Sequence, residues 1–424
     1  MKRIWWLIPV LLIAVAPHLA AQPTAPPAAP PILPAASPQS ALTFVTALAK
    51  EIGPRAAGSE GDRRAIDYVA EQFRRMGYGV ERQPFPFRYF EEAQPPQLTV
   101  AAPAARRLSP VTMLYSTSTP ETGLEAEVVA AGLGRPEDFA SLPVQGKFAL
   151  IERGEIFFSA KVANAATAGA AAVVLYNNQP GPPTVGTLLN ASRIPAVIVS
   201  QEEGRALVRQ LEGGTVRLRL VVRTIVETRT SYNVIGIKRG ARQSGEIVVV
   251  GGHRDSVPVS PGANDNGSGT AAVIEAARLL APIRTARTIH FIAFGAEELG
   301  LIGSTHYAQN PPGTIVGMVN MDMVGRGPLK VGNSNDDDRL VSIGVQVARR
   351  LGMQMETFKL RGAAGSDHMS FERIGVPTAF LHTGDDPAIH TAGDTLDRLD
   401  PALIAQAASL AAGIAVEAAG GAVR

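Results

Sequence analysis

No cysteine occurs in the 424 residues, which excludes disulfides, a thiol nucleophile, Cys-ligated zinc or iron–sulfur clusters, and lipid attachment through an N-terminal cysteine. Any metal must be held by His, Asp and Glu. Charge is scarce too: charged residues make up 18% of the chain against 46% hydrophobic ones, a balance that supplies a large core and excludes a chain disordered overall. The signs nearly cancel. Forty basic and 38 acidic residues give +2, and removal of a segment holding Lys2 and Arg3 leaves zero, so nothing in the charge points to nucleic acid. Gly-x-Ser-x-Gly, His-Glu-x-x-His and a phosphate-binding glycine loop ending in Lys-Ser/Thr are all absent. Histidine is missing from the whole of residues 22–252, which sends any metal or acid/base chemistry to the C-terminal part.

What is present begins with an export pattern. Lys2-Arg3, an apolar run from Ile4 to Val15 and the small pair Ala20-Ala21 make a secretory signal peptide over 1–21. The run is too short to span a bilayer comfortably. The alternative is an uncleaved anchor with Trp5-Trp6 at the membrane edge; in both readings the body of the protein leaves the cytoplasm, for the periplasm or the medium. Residues 22–40 then hold seven prolines among nineteen positions, a composition for extended, solvated linker.

From Ala41 the pattern turns helical, with Ala65, Val69 and Phe73 on one face and Gly77 ending the run. Between about Val111 and Val222 short β-type runs take over, Phe148–Ile151, Ala172–Tyr176 and Ala196–Val199, with a helical stretch at Ala160–Gly169. After Tyr232 strands and helices alternate: strands Ile247–Gly251, Thr288–Phe294, Ile315–Met321 and Pro377–Leu381, helices Gly269–Leu280, Leu299–Gln309 and Asp338–Leu351. Such alternation predicts a mainly parallel sheet with helices on both faces, whose sites form beyond the carboxyl ends of the strands.

Five groups fall at such ends. His253 and Asp255 follow an apolar strand, and extended chain puts them on one side, so that Asp255 is expected to accept a hydrogen bond from the second ring nitrogen of His253. Pro261 to Gly269 is a glycine-rich turn carrying Asp265 ahead of a helix, where an N-cap is the plain reading. Glu297 and Glu298 open another helix about 100° apart, one able to ligate a metal and the other to face a bound water; helix-dipole stabilisation is the plain reading here. Asp322 tips the strand Ile315–Val319, and His390 sits in a polar loop after the last strand. Nitrogen and oxygen ligands without sulfur suit zinc, with manganese or cobalt second, and a metal pair about 3.5–4 Å apart is a hydrolytic arrangement.

These residues resemble the zinc-dependent peptidase family M28, over about 50–90 and 230–400. The match lies in Ile52-Gly53-Pro54-Arg55, Gly58-Ser59, His253-x-Asp255-Ser256, Gly262-Ala263-x-Asp265-Asn266-x-Ser268-Gly269, Glu297-Glu298-x-Gly300, Asn320-x-Asp322-Met323, Ser366-Asp367-His368 and His390-Thr391. The middle segment resembles a protease-associated (PA) domain through Gly146-Lys147, Arg153-Gly154, Phe158, Lys161, Asn164-Ala165, Gly169-Ala170 and Tyr176-Asn177-Asn178. The resemblance implies an α/β fold: a zinc-peptidase core with a mainly parallel mixed sheet flanked by helices on both faces, and a smaller inserted α/β PA domain. Its parts would be the signal peptide at 1–21, a Pro/Ala-rich linker at 22–40, the first part of the peptidase domain at 41–110, the PA insertion at 111–222 and the catalytic domain at 223–424.

It further implies two zinc ions per chain, His253 and Asp322 on one, Glu298 and His390 on the other, with Asp265 bridging. Glu297 would be the general base, Asp255 would orient His253, and the Asp265–Asn266 bond would be cis. Ile389 departs from the family, which often has an oxyanion-binding tyrosine there. The expected activity is that of an exported di-zinc aminopeptidase acting on peptides with a free N-terminus, without nucleic acid and without a membrane span once the signal is cleaved. The rivals are an M28-type carboxypeptidase or dipeptidase, which needs a cationic cluster for the substrate carboxylate; a cyclase of N-terminal glutamine, which keeps one zinc; and a non-catalytic binding protein. His290 and His306 read as structural or surface residues, Asp367 and His368 as rim residues, and His382 as open. Asp336-Asp337-Asp338 reads as a solvated helix start, not a calcium loop. Arg326 and Arg361 either meet a substrate carboxylate or are simply exposed.

Overall fold

The computed structural model describes residues 33–183, 186–361 and 365–421. The signal peptide expected at 1–21 and residues 22–32 of the linker lie outside the described residues. The expected linker ends early: a helix runs over Pro38–Thr46, and Ser37 caps it by accepting a hydrogen bond from the Ser40 N–H at 3.2 Å. Pro38 sits where a helix tolerates proline, because an N–H there has no intrahelical acceptor. The next helix, Glu60–Arg75, is capped by Ser59 and buries Ala65, Ile66, Val69, Ala70 and Phe73.

The main sheet is mixed, and its strand order is Glu356–Lys359, Lys330–Asn333, Thr378–His382, Thr314–Met321, Glu246–His253, Thr288–Phe294, then Arg217–Lys238. The central pairs are parallel, while Lys330–Asn333 and Arg217–Lys238 run antiparallel to their inner neighbours. Central strands are apolar on both sides because both faces are covered. Val248 and Val250 face one core with the helices Pro38–Thr46, Glu60–Arg75, Gly269–Leu280, Arg339–Arg350 and Pro401–Ala418; Ile247 and Val249 face a smaller core with Tyr307 and Phe371. Pro401–Ala418 is apolar enough to cross a membrane by length and composition, yet its Ile404, Ala408, Leu410 and Ile414 are fully buried in the larger core.

Two long strands without a sequence signal of their own, Gly79–Ala102 and Arg217–Lys238, pair antiparallel along a ribbon that leaves the main sheet and enters a second one. There Arg217–Lys238 pairs with Leu124–Ala130, and parallel strands Phe148–Glu152, Ala172–Tyr176 and Ala196–Val199 follow. The core of this unit also takes Leu98, Val100 and Leu108 from the ribbon side, because the ribbon belongs to both sheets.

Candidate metal centre

Three adjacent strand ends set the frame. His253 closes Glu246–His253 and lies in register with Phe294, while Asp322 follows the last residue of Thr314–Met321. Glu297 and Glu298 come shortly after Phe294. The expected helix at Leu299 instead starts at Ile302: Ala296, Gly300 and Leu301 all have positive φ (56°, 106° and 61°), and no α-helix accommodates that backbone. Both glutamates are therefore presented by a turn. Asp265 stands in the Ala263–Ser268 turn ahead of Gly269–Leu280, and the peptide bond from Asp265 to Asn266 is cis.

The five residues expected to ligate metal converge. The two carboxylate oxygens of Asp265 face different histidines, Oδ1 at 3.3 Å from His253 Nε2 and Oδ2 at 3.1 Å from His390 Nε2. Asp322 Oδ1 lies 3.4 Å from His253 Nε2, and Glu298 Oε2 lies 3.0 Å from His390 Nε2. Glu297 Oε2 stands 3.8 Å from His253 Nε2. Ligand-capable atoms of His253, Glu297 and Asp322, and of His253, Asp265 and Glu298, all lie within 4.8 Å of one another in each set.

Asp255 departs from its expected contact. The Nδ1 atom of His253 is 3.1 Å from the main-chain carbonyl of Asp255 and 3.8 Å from its carboxylate. The strand ends at His253, so the alternation that would put both side chains on one side stops there. The Asp255 carboxylate instead accepts the N–H groups of Glu297 (3.2 Å) and Glu298 (3.3 Å), and so fixes the glutamate turn.

Three supporting residues had no role assigned from sequence. Asp394 accepts the N–H of Asn264 at 2.7 Å and of Asp265 at 3.0 Å. Arg55, fully buried, donates to the carbonyls of Leu48, Gly53, Arg254, Pro261 and Gly262, which ties the opening segment to the loops bearing His253 and Asp265. Arg254 donates to Asp62 at 2.7 Å, with side chains 0% and 1% exposed. Arg55 lies in the motif Ile52–Arg55, Arg254 is the unspecified position of His253-x-Asp255-Ser256 and Asp394 follows His390-Thr391 in the same polar loop, but nothing local told a buried guanidinium or carboxylate from an exposed one.

Electrostatically the site is an acid cluster in need of cations. Burial drives Glu297 well above the ordinary carboxylate range, and Asp367, Asp322 and Asp255 add to this against His253. Glu298 and Asp255 are raised by burial as well. Asp265 goes the other way: burial raises it, but its hydrogen bonds to His253 and His390 hold it well below the usual value. His390 is pushed up to about 10 by hydrogen bonds with Asp265 and Glu298. For His253 burial acts downward and is outweighed by Glu297 and Asp322. Glu298 Oε1 and Asp322 Oδ1 are buried without a hydrogen-bond partner among the described residues. Orphaned acceptors among crowded carboxylates, with two imidazoles, are what hard or borderline divalent cations satisfy.

Asp367 and His368 are fully buried, not rim residues. The short helix His368–Glu372 carries them under the sheet, where the His368 ring stacks on Phe380 at 4.3 Å and its Nε2 is 2.7 Å from Ser334 Oγ. Burial raises Asp367 to about 7. His382 turns Nδ1 toward the Asp322 carbonyl at 2.8 Å. His290 is buried beside the Tyr307 hydroxyl at 2.8 Å, and the His306 ring lies 5.9 Å from that of Phe85. Arg326 pairs with Asp386 at 2.8 Å, and Arg361 lies 3.5 Å from Asp336. Asp337 and Asp338 pair with Arg339 and Lys359 ahead of the helix.

Comparison with known proteins joins these pieces. A profile of peptidase family M28 matches residues 233–415, and a PA domain profile matches 124–207. Aminopeptidase YwaD of Bacillus subtilis (strain 168) is 34% identical over 398 residues, 89% of this chain and 84% of that protein. Among solved structures, an aminopeptidase from Aneurinibacillus sp. strain AM-1 is 34% identical with a TM-score of 0.77, covering 91% of this chain and 94% of its own. BSAP, a zinc aminopeptidase from Bacillus subtilis, is 32% identical with a TM-score of 0.71, covering 91% and 96%. Sustained identity across the catalytic half, the ribbon and the inserted unit means that this chain belongs to peptidase family M28 and carries a PA domain within it.

Proposed function

We propose that the chain is an exported di-zinc aminopeptidase that removes N-terminal residues from peptides. One observation carries the two-metal reading: a single carboxylate, Asp265, turns one oxygen to His253 and the other to His390. His253, Asp265 and Asp322 would hold one zinc, and Asp265, Glu298 and His390 the other. Bound there, zinc polarises a peptide carbonyl and makes water acidic enough to lose a proton near neutral pH.

The remaining steps belong to the chain. Glu297, held over the centre by the Asp255 contact to its N–H, accepts the proton of the attacking water and returns it to the leaving amine. Asp394 keeps Asp265 aimed through two main-chain N–H groups. Arg326 and Arg361, the two candidate cations for a substrate carboxylate, stand beside Asp386 and Asp336, which favours release from the amino end over the carboxypeptidase reading. The export pattern of residues 1–21 supports a periplasmic or secreted protein, and the PA segment is taken as 111–222.

The test combines metal analysis with amino-acid anilides, N-acetylated controls and peptides carrying a C-terminal glutamate. About two zincs per chain, chelator-sensitive release only from free N-termini, and a fall of at least about 10²-fold in kcat for Glu297→Gln with zinc retained are expected. Cleavage at the carboxyl end alone would replace the reading with the carboxypeptidase; absence of both metal and turnover would leave a binding protein.

A further inference from the structure

His390 differs from the rest of the ligand set. The side chains of His253, Asp265, Glu298 and Asp322 are 1%, 7%, 9% and 12% exposed, that of His390 52%. No strand end presents it: residues 383–395, between the strand Thr378–His382 and the short helical turn Leu396–Arg398, contain neither helix nor strand. Its φ of +59° is uncommon for any residue but glycine. A backbone in that region persists only where its surroundings fix it.

Two carboxylates bracket it, four positions before and four after. Asp394, on the far side, accepts the N–H groups of Asn264 and Asp265. On the near side stands Asp386, whose side chain is 2% exposed. Its Oδ1 accepts the Ala388 N–H at 3.0 Å and its carbonyl the Ile389 N–H at 3.0 Å, which closes the turn that runs into His390. The same carboxylate also reaches outward: Oδ1 accepts from Arg326 Nη1 at 2.8 Å and from Arg398 Nη2 at 3.0 Å, and Oδ2 from Asn264 Nδ2 at 3.1 Å. Asn264 immediately precedes Asp265, and Arg326 stands four residues past Asp322. One buried side chain is thereby bonded to the segments that carry three of the five ligands, by charge-assisted bonds roughly twice as strong as neutral ones. The other ligands have supports of their own. His253 and Asp322 are set by strand ends, Glu298 by the Asp255 carboxylate on its N–H, and Asp265 by Asp394.

We propose that Asp386 is a positioning residue for the zinc assigned to Asp265, Glu298 and His390: it locks the loop that carries His390, so that the imidazole stays within reach of the same cation as Asp265 and Glu298. It acts through His390, without contact to the metal. The two metal positions are then held by different means, one by strand ends and the other by a clamped loop. The inference rests on the two-zinc reading above and adds to it a residue on which one zinc depends and the other does not. Arg326 and Arg398 have side chains 42% and 31% exposed, so both guanidiniums still reach water when Asp386 is truncated.

The test measures zinc bound per chain of the full enzyme across buffers of set free zinc, beside turnover of an amino-acid anilide at each zinc level. Wild type should hold about two zincs. Asp386→Ala should weaken one of them about 10–100-fold, as loss of a group that orients a ligand does, and leave the other within about threefold; raising zinc until the weak position fills should return kcat to within about twofold of wild type. Asp386→Asn keeps the shape without the charge and should fall between the two, so it decides the matter if the alanine variant does not fold. In a His390→Ala background Asp386→Ala should alter the remaining zinc by less than about threefold, because two changes acting through one residue do not add. Equal weakening of both zincs, an additive loss in the His390→Ala background, unchanged zinc affinity, or turnover that excess zinc does not restore would overturn the assignment. Wild type with two zincs and no release from free N-termini would overturn the aminopeptidase reading and leave this one standing; wild type that binds fewer than two would overturn the two-zinc reading and this one with it.

Discussion

Asp62→Ala should be among the most damaging single changes in the molecule outside the metal centre. Asp62 and Arg254 have side chains 1% and 0% exposed, and they meet at 2.7 Å. The same carboxylate accepts the Gly58 N–H at 2.8 Å and the Ser231 hydroxyl at 2.9 Å. Truncation leaves a guanidinium in the interior with, among the described residues, only Ser231 Oγ and the Ala293 carbonyl, and breaking a buried pair on one side costs about 3–5 kcal/mol. We expect a loss of about 4 kcal/mol, the orphaned Gly58 N–H contributing part. An internal control lies two residues away. Glu60 and Arg63 pair with side chains 72% and 63% exposed, and Glu60→Ala should cost less than about 1 kcal/mol. Replacing both buried partners, Asp62→Leu with Arg254→Met, should recover much of the loss, because the penalty is an unpaired charge and not a missing attraction. Urea unfolding followed by far-UV circular dichroism measures all four proteins; both tryptophans, Trp5 and Trp6, lie in residues 1–21, the signal peptide expected from sequence, so a chain produced without those residues gives no tryptophan fluorescence to follow. An Asp62→Ala loss no larger than that of Glu60→Ala would refute the reasoning from burial.

Other expectations follow from the same geometry. Burial lowers His290 to about 4 from an ordinary 6.5; the unfolded chain therefore binds a proton between those values that the folded chain does not. Its stability is full above pH 6.5 and falls by up to about 3 kcal/mol as pH drops toward 4, and urea midpoints across this window should flatten in His290→Asn. Asp394→Ala strips the acceptor from two buried N–H groups and should cost about 1–3 kcal/mol, with faster zinc loss to a chelator than wild type. A Cβ on Gly269 would stand 2.2 Å from the Met321 carbonyl and from Asn266 Oδ1, so Gly269→Ala should destabilise by about 1–3 kcal/mol and depress kcat; unchanged melting and turnover would contradict it. Zinc removal should lower the melting temperature, and titrating zinc back should raise it with the logarithm of free zinc above the dissociation constant, since a ligand that binds only the folded state stabilises it by mass action.

The catalytic half was legible because its physics is local. Strands buried on both faces read as apolar runs, and the residues just past them stand out: Thr288–Phe294 and Gly269–Leu280 match their expected bounds. The ribbon was illegible for the opposite reason. Gly79–Ala102 is mostly exposed, with prolines at 84, 86, 95 and 96, and its pairing with a segment more than a hundred residues away leaves no period in either. Contacts at the site split the same way. Residue types and order pointed to His253, Asp265, Glu298, Asp322 and His390, but the partner of the Asp255 carboxylate depended on where a strand stops and on the positive-φ turn at 296–301. Asp367, expected at the rim, is buried by a five-residue helix too short to show a periodicity.

The ribbon has a consequence for how such a chain tolerates rearrangement. Its strands stay in register from Gly79 opposite Ile237 to Glu92 opposite Thr224 before the first irregularity. Every opposed pair along that stretch is a place where a tight hairpin could close the peptide chain without shifting the alternation of residues in the main sheet. The inserted unit is thus carried like a flag on a two-rail pole: shortening the pole by two residues on each rail moves the unit inward without flipping its faces, whereas removing one residue from a single rail would turn over every side chain beyond the cut.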